Sequence, residues 1–183
     1  MARNIPKNAK LAFKGQTVSI YQWRQRMFDG SYETFEAIKR AYTVQIIPVV
    51  DDKVVIVHEE QPGIGSWYGM VGGRIDEGEL PLHAAKRELL EETGLVAKKL
   101  VLLKRFSTPK SQIDWVIYLY LAKDCKKVAE QDLDAGERIN TYTVPVEKLL
   151  DLKGRLGADM TLYFSDIKND KKKLRAFKDK LFS

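Results

Sequence analysis

Three glutamates recur at helical spacing in the segment from Gly73 to Leu95. If this segment is helical, Glu88, Glu91 and Glu92 fall within an arc of roughly 100° on one face, because each residue turns the helix by about 100°. Mg²⁺ takes oxygen ligands, keeps several of its waters and combines a few carboxylates with substrate phosphates. The spacing therefore predicts a site for a hard cation, held by carboxylates on one face of a helix.

A helix that could carry these glutamates is predicted from about Leu80 to Thr93, after a glycine-rich turn. Gly94 follows it directly and suits the left-handed conformation that commonly ends a helix. An apolar stripe on the neighbouring face is expected to hold the helix against a core. This stripe comprises Leu82, Ala85 and Leu89. Arg87 lies one helical turn before Glu91, so we expect an ion pair that orients the carboxylate.

The same segment resembles the Nudix box, G-x5-E-x7-R-E-U-x-E-E-x-G-U, in which U is an aliphatic residue. Every specified position is filled without a gap. The matching residues are Gly73, Glu79, Arg87, Glu88, Leu89, Glu91, Glu92, Gly94 and Leu95. An ordinary charged amphipathic helix is the alternative, but it would not require this complete match. The resemblance implies a Nudix hydrolase, which cleaves a nucleoside diphosphate linked to another group, X.

The resemblance also implies roles for the box residues in a metal site. The expected metal is Mg²⁺, for which Mn²⁺ is a possible substitute. Glu88 and Glu92 are the expected ligands, Glu91 assists them, and the carbonyl of Gly72 can serve as a further ligand. Another glutamate that commonly binds metal just ahead of the box is missing, because Gly69 occupies its position.

The general base is expected from the polar, acidic stretch over residues 124–138, which predicts a loop. The segment LDAGERINTYTVP resembles the loop that often delivers this base in ADP-ribose pyrophosphatases. By position Glu137 is the predicted base and Asp134 the second choice, while a solvated loop carboxylate is the alternative. Arg87 and Glu91 complete the expected catalytic set.

Features outside the box resemble the ADP-ribose and nucleotide-sugar pyrophosphatases within this family. Residues 1–72 precede the box, whereas minimal Nudix domains have far fewer residues there. In the subfamily, additional N-terminal strands often build a homodimer and a base-binding slot. Trp23 is therefore the candidate for stacking on a nucleobase, although core packing is the alternative. Pro109 has a spacing typical of ADP-ribose pyrophosphatases, and Ser111 on the same loop could approach a ribose or phosphate.

One departure from the subfamily concerns the substrate phosphates. Members typically carry Q-x-R after the second core strand, but this chain has Gln61-Pro62-Gly63. Gln61 remains a candidate substrate-binding residue, and another cation must replace the arginine unless the substrate differs. Arg40 and Lys110 are the candidates for that cation.

The remaining pattern predicts an α/β protein with a single domain over residues 1–183. Strands are predicted over residues 17–23, 32–40, 43–50, 53–59, 100–106, 115–122 and 139–144. Helices are predicted after Pro145, over residues 159–165 and in the last twelve or so residues. The resemblance sharpens this to the Nudix fold, an α/β/α sandwich around a central mixed sheet. An N-terminal strand extension over about residues 1–42 and C-terminal helices over about 146–183 complete it.

Composition and apolar patterning indicate where in the cell the protein is expected. No apolar run approaches the length of a membrane span, and the N-terminus lacks the apolar stretch of a secretory signal. The single cysteine, Cys125, excludes an internal disulfide and a multi-cysteine zinc site. A cytoplasmic location without membrane contact is therefore expected. The net charge is +6, and the cations that crowd the tail favour a solvated helix face over nucleic-acid contact.

The expected reaction is the Mg²⁺-dependent hydrolysis of ADP-ribose or a nucleotide sugar to a nucleoside monophosphate and a sugar phosphate. The expected assembly is a homodimer that pairs through the N-terminal strands. Two alternatives stay open. One is a nucleoside-triphosphate or RNA-cap pyrophosphatase, and the other is a non-catalytic Nudix module that binds nucleotides or RNA.

Overall fold

The computed structural model describes residues 5–107, 112–152 and 158–183. Its strands in chain order are β1 (Lys10–Lys14), β2 (Val18–Arg26), β3 (Tyr32–Arg40), β4 (Thr43–Val50), β5 (Lys53–Gln61), β6 (Gly65–Gly69), β7 (Leu95–Ser107), β8 (Ile113–Asp114), β9 (Val116–Lys127) and β10 (Arg138–Val144). Its helices are α1 (Pro81–Thr93), α2 (Val146–Leu150), α3 (Ala158–Asn169) and α4 (Lys171–Phe182). Within the described ranges, no helix has both the length and the apolar character needed to cross a membrane.

The larger of two sheets is mixed, as predicted. Strands β10, β5, β4, β9 and β7 follow one another across it, and β6 pairs with β5. The β4–β9 pair is parallel, whereas the other pairs of this sheet are antiparallel. A tight turn at Asp51 and Asp52 joins β4 to β5, and Asp51 has a φ of 54°. Positive φ is typical of two-residue hairpin turns.

Strands β4 and β5 separate soon after the turn that joins them. Their shared ladder covers only Val49 and Val50 of β4. Beyond it, β5 pairs with β6, while β4 pairs with the segment that opens the box, over residues 71–74. Pro48 lies past the end of the ladder, so its missing N–H costs no bond to β5. The separation brings the start of the box between the two strands.

Helices cover both faces of the larger sheet, which gives the predicted α/β/α sandwich. Helix α1 packs on one face over a core that includes Val55 and Tyr120. Helices α2, α3 and α4 pack on the other face over a core that includes Val54 and Leu119. Consecutive strand residues point to opposite faces, so neighbouring apolar residues of β4, β5 and β9 supply both cores.

The smaller sheet forms the predicted N-terminal strand extension. Its strand order is β1-β2-β3-β8, with β1, β2 and β3 antiparallel and β8 parallel to β3. The prediction of a strand over residues 32–40 is confirmed. Because β8 lies between β7 and β9 in the chain, it joins this sheet to the rest of the fold. The expectation of one domain over the whole chain stays a prediction.

The loop predicted over residues 124–138 is shorter than expected. The prediction is wrong for residues 124–127, because β9 continues to Lys127 in an antiparallel ladder with β7. It is also wrong for Arg138, which begins β10. The polar side chains here sit on exposed strand ends, so the loss of apolar alternation hid the strands from the sequence pattern.

Candidate active site

Helix α1 has the predicted position, and its two ends are built by particular residues. Pro81 occupies the first turn, where its missing N–H costs no helical bond. Gly94 ends the helix with a φ of 69°, and its N–H donates to the carbonyl of Leu90 at 2.7 Å. A Cβ on Gly94 would also collide with the carbonyl oxygen of Ala129. The box glycine is therefore required by both its conformation and a close neighbour.

The face that α1 buries differs from the predicted apolar stripe. Ala85 and Leu89 are buried as expected, but Leu82 is 38% exposed and Ala84 is fully buried. The prediction is wrong for Leu82, because the helix is rotated to bring its alanines against the sheet. The buried arc then includes Glu92, which is only 6% exposed. The carboxylate face and the packing face of α1 thus overlap.

Glu92 is a nearly buried carboxylate beside the turn that opens the box. Its Oε2 accepts a hydrogen bond from the Gly72 N–H at 2.8 Å. Burial raises the pKa of Glu92 well above its usual range, the Gly72 bond opposes this, and the charges of Glu88, Glu59 and Glu137 raise it further. A buried acid among other acids stabilises a bound cation, because the cation relieves their repulsion.

Arg87 holds the other box carboxylates in place. It donates two hydrogen bonds to Glu79, at 3.0 and 3.1 Å, and one to Glu88 at 2.8 Å. The predicted ion pair with Glu91 is present at 3.0 Å. Burial raises the pKa of Glu88 to about 7 despite the opposing charge of Arg87, and Glu91 and Glu137 contribute to the rise. The Arg87 hydrogen bond instead lowers the pKa of Glu79.

Two glycines let the box approach its neighbours closely. Gly72 has a φ of 142°, and a Cβ there would collide with the backbone carbonyl of Val44. A Cβ on Gly73 would meet the carboxylate of Glu88 at 2.5–2.6 Å. Larger residues would push the opening turn away from β4 and from the glutamates of α1.

Glu137 comes from the loop between β9 and β10 and reaches the box carboxylates. Its charge is close enough to raise the pKa of both Glu88 and Glu92. Burial raises the pKa of Glu137 itself, and Asp134 adds to this rise. The backbone N–H of Glu137 donates to the Asp134 carbonyl at 2.9 Å. The structure thus brings the predicted base to the glutamates of α1, and its catalytic role stays a prediction.

Glu59 is an acidic residue of this site that sequence reasoning missed. It lies on β5 on the same face as Val55 and Val57, which pack beneath α1. Its charge raises the pKa of Glu92, and it accepts a hydrogen bond from Gln61 at 2.6 Å. The signal was available, because the strand alternation of Val55 and Val57 extends to residue 59.

The donor set has the chemistry of a hard-cation site. As the side chains stand, no group of three or more His, Cys, Asp or Glu residues converges to hold a metal in the part of the chain that the structure describes. Arg87 engages Glu88 and Glu91, and Gly72 engages Glu92. Carboxylates whose pKa is raised by burial and by one another fit Mg²⁺, provided that Arg87 yields an oxygen. The metal-binding roles stay predictions.

The predicted substrate-binding residues occupy several places. Trp23 is 7% exposed, and its Nε1–H donates to Gln25 at 3.2 Å. The guanidinium of Arg40 stacks 4.4 Å from the ring centroid of Trp115. Gln61 lies beside Glu59 at the site. Pro109, Lys110 and Ser111 lie outside the described residues. The substrate roles of all these residues stay predictions.

Comparisons with known proteins agree with this architecture. The family model for the NUDIX domain matches residues 39–163. ADP-ribose pyrophosphatase of Bacillus subtilis (strain 168) is 29% identical over 143 residues, which cover 76% of this chain and 77% of that protein. ADP compounds hydrolase NudE of Escherichia coli (strain K12) is 32% identical over 122 residues, which cover 66% of this chain and 64% of that protein.

A solved structure shares the fold. The crystal structure of an ADP compounds hydrolase superposes with a TM-score of 0.69 at 23% identity, and the alignment covers 91% of this chain and 95% of that chain. Because the family match spans more than half of the sequence, the chain belongs to the Nudix family. It is a Nudix hydrolase, similar to ADP-ribose pyrophosphatases and ADP compounds hydrolases, and the resemblance seen in the sequence is confirmed.

Proposed function

We propose that this Nudix hydrolase cleaves the diphosphate bond of ADP-ribose or a related nucleotide sugar in the presence of Mg²⁺. The products are a nucleoside monophosphate and a sugar phosphate. The observation that carries the proposal is that Glu59 of β5 and Glu137 of the loop between β9 and β10 lie close enough to Glu92 of α1 for their charges to raise its pKa. Relatives named for ADP-ribose and ADP compounds support this substrate class.

Glu88 and Glu92 would hold Mg²⁺, with help from Glu91 and the Gly72 carbonyl, and Mn²⁺ could replace it. When bound, the ion supplies charge neutralisation for the diphosphate and lowers the pKa of a coordinated water. The diphosphate of the substrate, the metal ion and the box carboxylates would then lie in one site.

The chain's own residues supply orientation and a proton acceptor. Arg87 fixes Glu88 and Glu91 through its hydrogen bonds. Glu137 would accept a proton from the attacking water, and its raised pKa increases its proton affinity. Its position beside Glu88 and Glu92 supports this assignment over that of a solvated loop carboxylate.

The test is a hydrolysis panel with products identified by mass. It contains ADP-ribose, other nucleotide sugars, dinucleotides, nucleoside triphosphates and capped RNA, each with Mg²⁺, with Mn²⁺ and with chelator. We expect metal-dependent cleavage of ADP-ribose or a nucleotide sugar at the diphosphate. Preference for triphosphates or capped RNA would contradict the proposal. That result would instead support a nucleoside-triphosphate or RNA-cap pyrophosphatase. The exposed lysines of α4 (Lys171, Lys172 and Lys180) would then favour binding of its polyanionic substrate.

Two substitutions separate metal binding from proton acceptance. Glu92→Gln should nearly abolish turnover, because it removes a buried carboxylate from the cation site. Glu137→Gln should reduce kcat by about 10²–10⁴-fold and leave measurable activity, as the loss of a general base does. Glu130→Gln in the same loop is the matched control, since its side chain is 89% exposed. Wild-type activity in Glu137→Gln would remove Glu137 from the mechanism.

A further inference from the structure

Arg74 is an exposed arginine on the turn that opens the box. The backbone at this position is held from two directions. The N–H of Ile75 donates to the carbonyl of Tyr42 at 2.8 Å, and the carbonyl of Arg74 accepts a hydrogen bond from Arg87 Nη2 at 2.9 Å. The turn therefore fixes Arg74 next to the arginine that binds the box carboxylates.

The same turn borders the carboxylates themselves. Gly73 directly precedes Arg74, and a Cβ on Gly73 would meet the carboxylate of Glu88 at 2.5–2.6 Å. Burial and Asp134 raise the pKa of Glu137, whereas the positive charge of Arg74 is close enough to lower it. Arg74 thus places a cation at the site where the diphosphate is expected to bind.

The two arginines of the box differ in their partners. The guanidinium of Arg87 forms ion pairs with three carboxylates, those of Glu79, Glu88 and Glu91. The guanidinium of Arg74 forms no ion pair or hydrogen bond within the ranges that the structure describes. A guanidinium can donate two parallel hydrogen bonds to the oxygens of a phosphate. Of these two arginines, Arg74 is therefore the one whose donors can serve a ligand.

We propose that Arg74 binds a phosphate group of the substrate's diphosphate. This inference rests on the proposed function, since it takes a diphosphate that lies at the box carboxylates. A diphosphate brings further negative charge to a site that already contains several carboxylates. A cation besides Mg²⁺ lowers the electrostatic cost of placing it there. Arg74 would then supply the cation that is missing after Gln61, a role for which Arg40 and Lys110 were the candidates in the sequence.

The test compares Arg74→Ala with Arg74→Lys. Alanine removes the charge but keeps the backbone carbonyl that Arg87 uses, so the box should fold. Lysine keeps the charge but loses the planar fork of donors. Arg175→Ala is the matched control, because it removes an exposed arginine and the same charge from α4. Helix α4 packs on the face of the larger sheet opposite to α1.

Four measurements are made on each variant. Steady-state kinetics gives kcat/KM for ADP-ribose with Mg²⁺. Calorimetry gives the Kd of AMP and of ribose 5-phosphate, which each retain one phosphate of the substrate. Electron paramagnetic resonance gives the Kd of Mn²⁺ without nucleotide, and circular dichroism verifies folding.

We expect Arg74→Ala to lower kcat/KM by about 10- to 100-fold, the range for a hydrogen bond to a charged group. The Kd of AMP or of ribose 5-phosphate should rise by a similar factor, according to which phosphate Arg74 contacts. The Kd of Mn²⁺ should not rise, because loss of a nearby positive charge favours another cation. Arg74→Lys should recover part of the loss, and Arg175→Ala should resemble wild type.

Four outcomes would overturn the inference. The first is an unchanged kcat/KM in folded Arg74→Ala while wild type cleaves ADP-ribose, which would leave the proposed function intact. The second is an equal loss in Arg175→Ala, which would indicate an effect of net charge alone. The third is weaker Mn²⁺ binding by Arg74→Ala, which would indicate a distorted box. The fourth is a wild-type protein that cleaves neither ADP-ribose nor a nucleotide sugar, which would overturn the proposed function as well.

Discussion

Two carboxylates that Arg87 binds differ in how the fold affects their proton affinity. The side chain of Glu88 is 12% exposed and that of Glu79 is 17% exposed, yet only Glu88 loses enough water for burial to dominate. Glu79 takes two hydrogen bonds from the guanidinium, and these outweigh its burial. At the residue scale the box therefore contains one carboxylate, Glu88, with a pKa near neutral pH, and another, Glu79, that stays ionised.

This difference predicts opposite pH dependences of stability in metal-free protein. Burial raises the pKa of Glu88 to about 7 in the fold, so the folded state binds its proton more tightly than the unfolded state. The associated stability is fully present below the unfolded pKa and is lost as pH rises to about 7. It amounts to at most about 3 kcal/mol. Glu92 contributes in the same direction, so Glu88→Gln should remove only part of this decline.

Urea unfolding in chelator between pH 4.5 and 7.5 would measure this effect. Glu79→Gln is the contrasting variant, because the lowered pKa of Glu79 gives stability that is present above the unfolded pKa and lost as pH falls. It should therefore lower the free energy of unfolding mainly at neutral pH. A decline with pH in Glu88→Gln as steep as in wild type would contradict the assignment of the slope to Glu88.

Residues of the site could be predicted from the sequence where helix geometry fixes their spacing. Glu88, Glu91 and Glu92 fall on one face because of the helical period alone. Strand alternation places Glu59 on the face of Val55 and Val57, but the sequence does not show that α1 covers this face of β5. Leu82 was misplaced because the rotation of α1 depends on which side chains let it approach the sheet.

At the scale of elements, the loop over residues 128–137 docks on the carboxyl end of α1. The last carbonyls of a helix have no partner within it, and this loop supplies donors. The N–H of Asp132 donates to the Glu91 carbonyl at 2.9 Å. The side-chain amide of Gln131 donates to the Glu92 carbonyl and, at 3.1 Å, to that of Ile139. Gln131 therefore ties α1 to β10, on either side of the loop that carries Glu137.

This docking predicts that Gln131 is a positioning residue for Glu137. Gln131→Ala leaves two carbonyls without this donor and should cost about 1–3 kcal/mol in the free energy of unfolding. It should also lower kcat by roughly tenfold with little change in KM, because a displaced base loses about 1.4 kcal/mol of transition-state stabilisation per factor of ten. Thermal unfolding and steady-state kinetics would measure both effects.

The neighbouring exposed residue supplies the control for this prediction. Glu130→Ala changes a side chain that is 89% exposed and pairs only with Lys127 among the ion pairs of the described residues, so it should behave as wild type. A folded Gln131→Ala protein with unchanged kcat would show that Gln131 supports the fold alone. The pH dependence of kcat would add a specific readout, because displacement of Glu137 should shift the limb of that profile that reports the pKa of the general base.

Elements could be predicted from the sequence where side-chain periodicity is local. The apolar runs of β4 and β5 and the turn between them were clear because each strand is buried on both faces. The docking of the 128–137 loop could not be predicted, since its partners are carbonyls of a helix far away in the chain. The ends of β7 and β9 were missed because most of their side chains there are charged and exposed, although Leu95 and Cys125 are buried in the core under α1.

At the scale of the molecule, the basic tail packs against the rest of the chain. Phe177 and Leu181 of α4 are buried, and these apolar contacts supply most of its attachment. Lys173 pairs with Asp166 at 2.6 Å, and Lys178 pairs with Glu147 at 2.5 Å. Such surface pairs add little stability, but they direct α4 against α2 and α3. The helix predicted for the last residues of the chain thus packs through Phe177 and Leu181.

The three layers of the fold could be anticipated from the family resemblance, but the separate N-terminal sheet could not be assembled from the sequence. Strand periodicity does not state which strands pair. The parallel contact between β3 and β8 joins residues far apart in the chain, and local patterns carry no information on it. The oligomeric state is still harder to predict from the sequence, because it depends on which surfaces of the folded chain remain apolar.

The N-terminal sheet leaves apolar side chains exposed, and this supports the predicted homodimer. Leu11 is 51%, Phe13 is 55% and Tyr32 is 52% exposed. Exposed large apolar side chains of this kind can belong to an interaction site, and a two-fold dimer would cover each such side chain twice. Burial of one such side chain stabilises by about 1.5–3 kcal/mol. Replacing Leu11 and Phe13 by aspartate should therefore weaken association by several orders of magnitude.

Sedimentation velocity over a range of concentrations would test this prediction. We expect a dimer for wild type and a monomer for the Leu11→Asp, Phe13→Asp double variant. Leu162→Asp is the matched control, because Leu162 is 68% exposed but belongs to α3, outside the N-terminal sheet. The Leu162→Asp variant should therefore remain dimeric. A monomeric wild type, or a double variant that remains dimeric, would contradict pairing through these strands. Since neither β1 residue contacts the box carboxylates in the arrangement described, hydrolysis by a monomeric double variant would further show that one chain holds the whole reaction site.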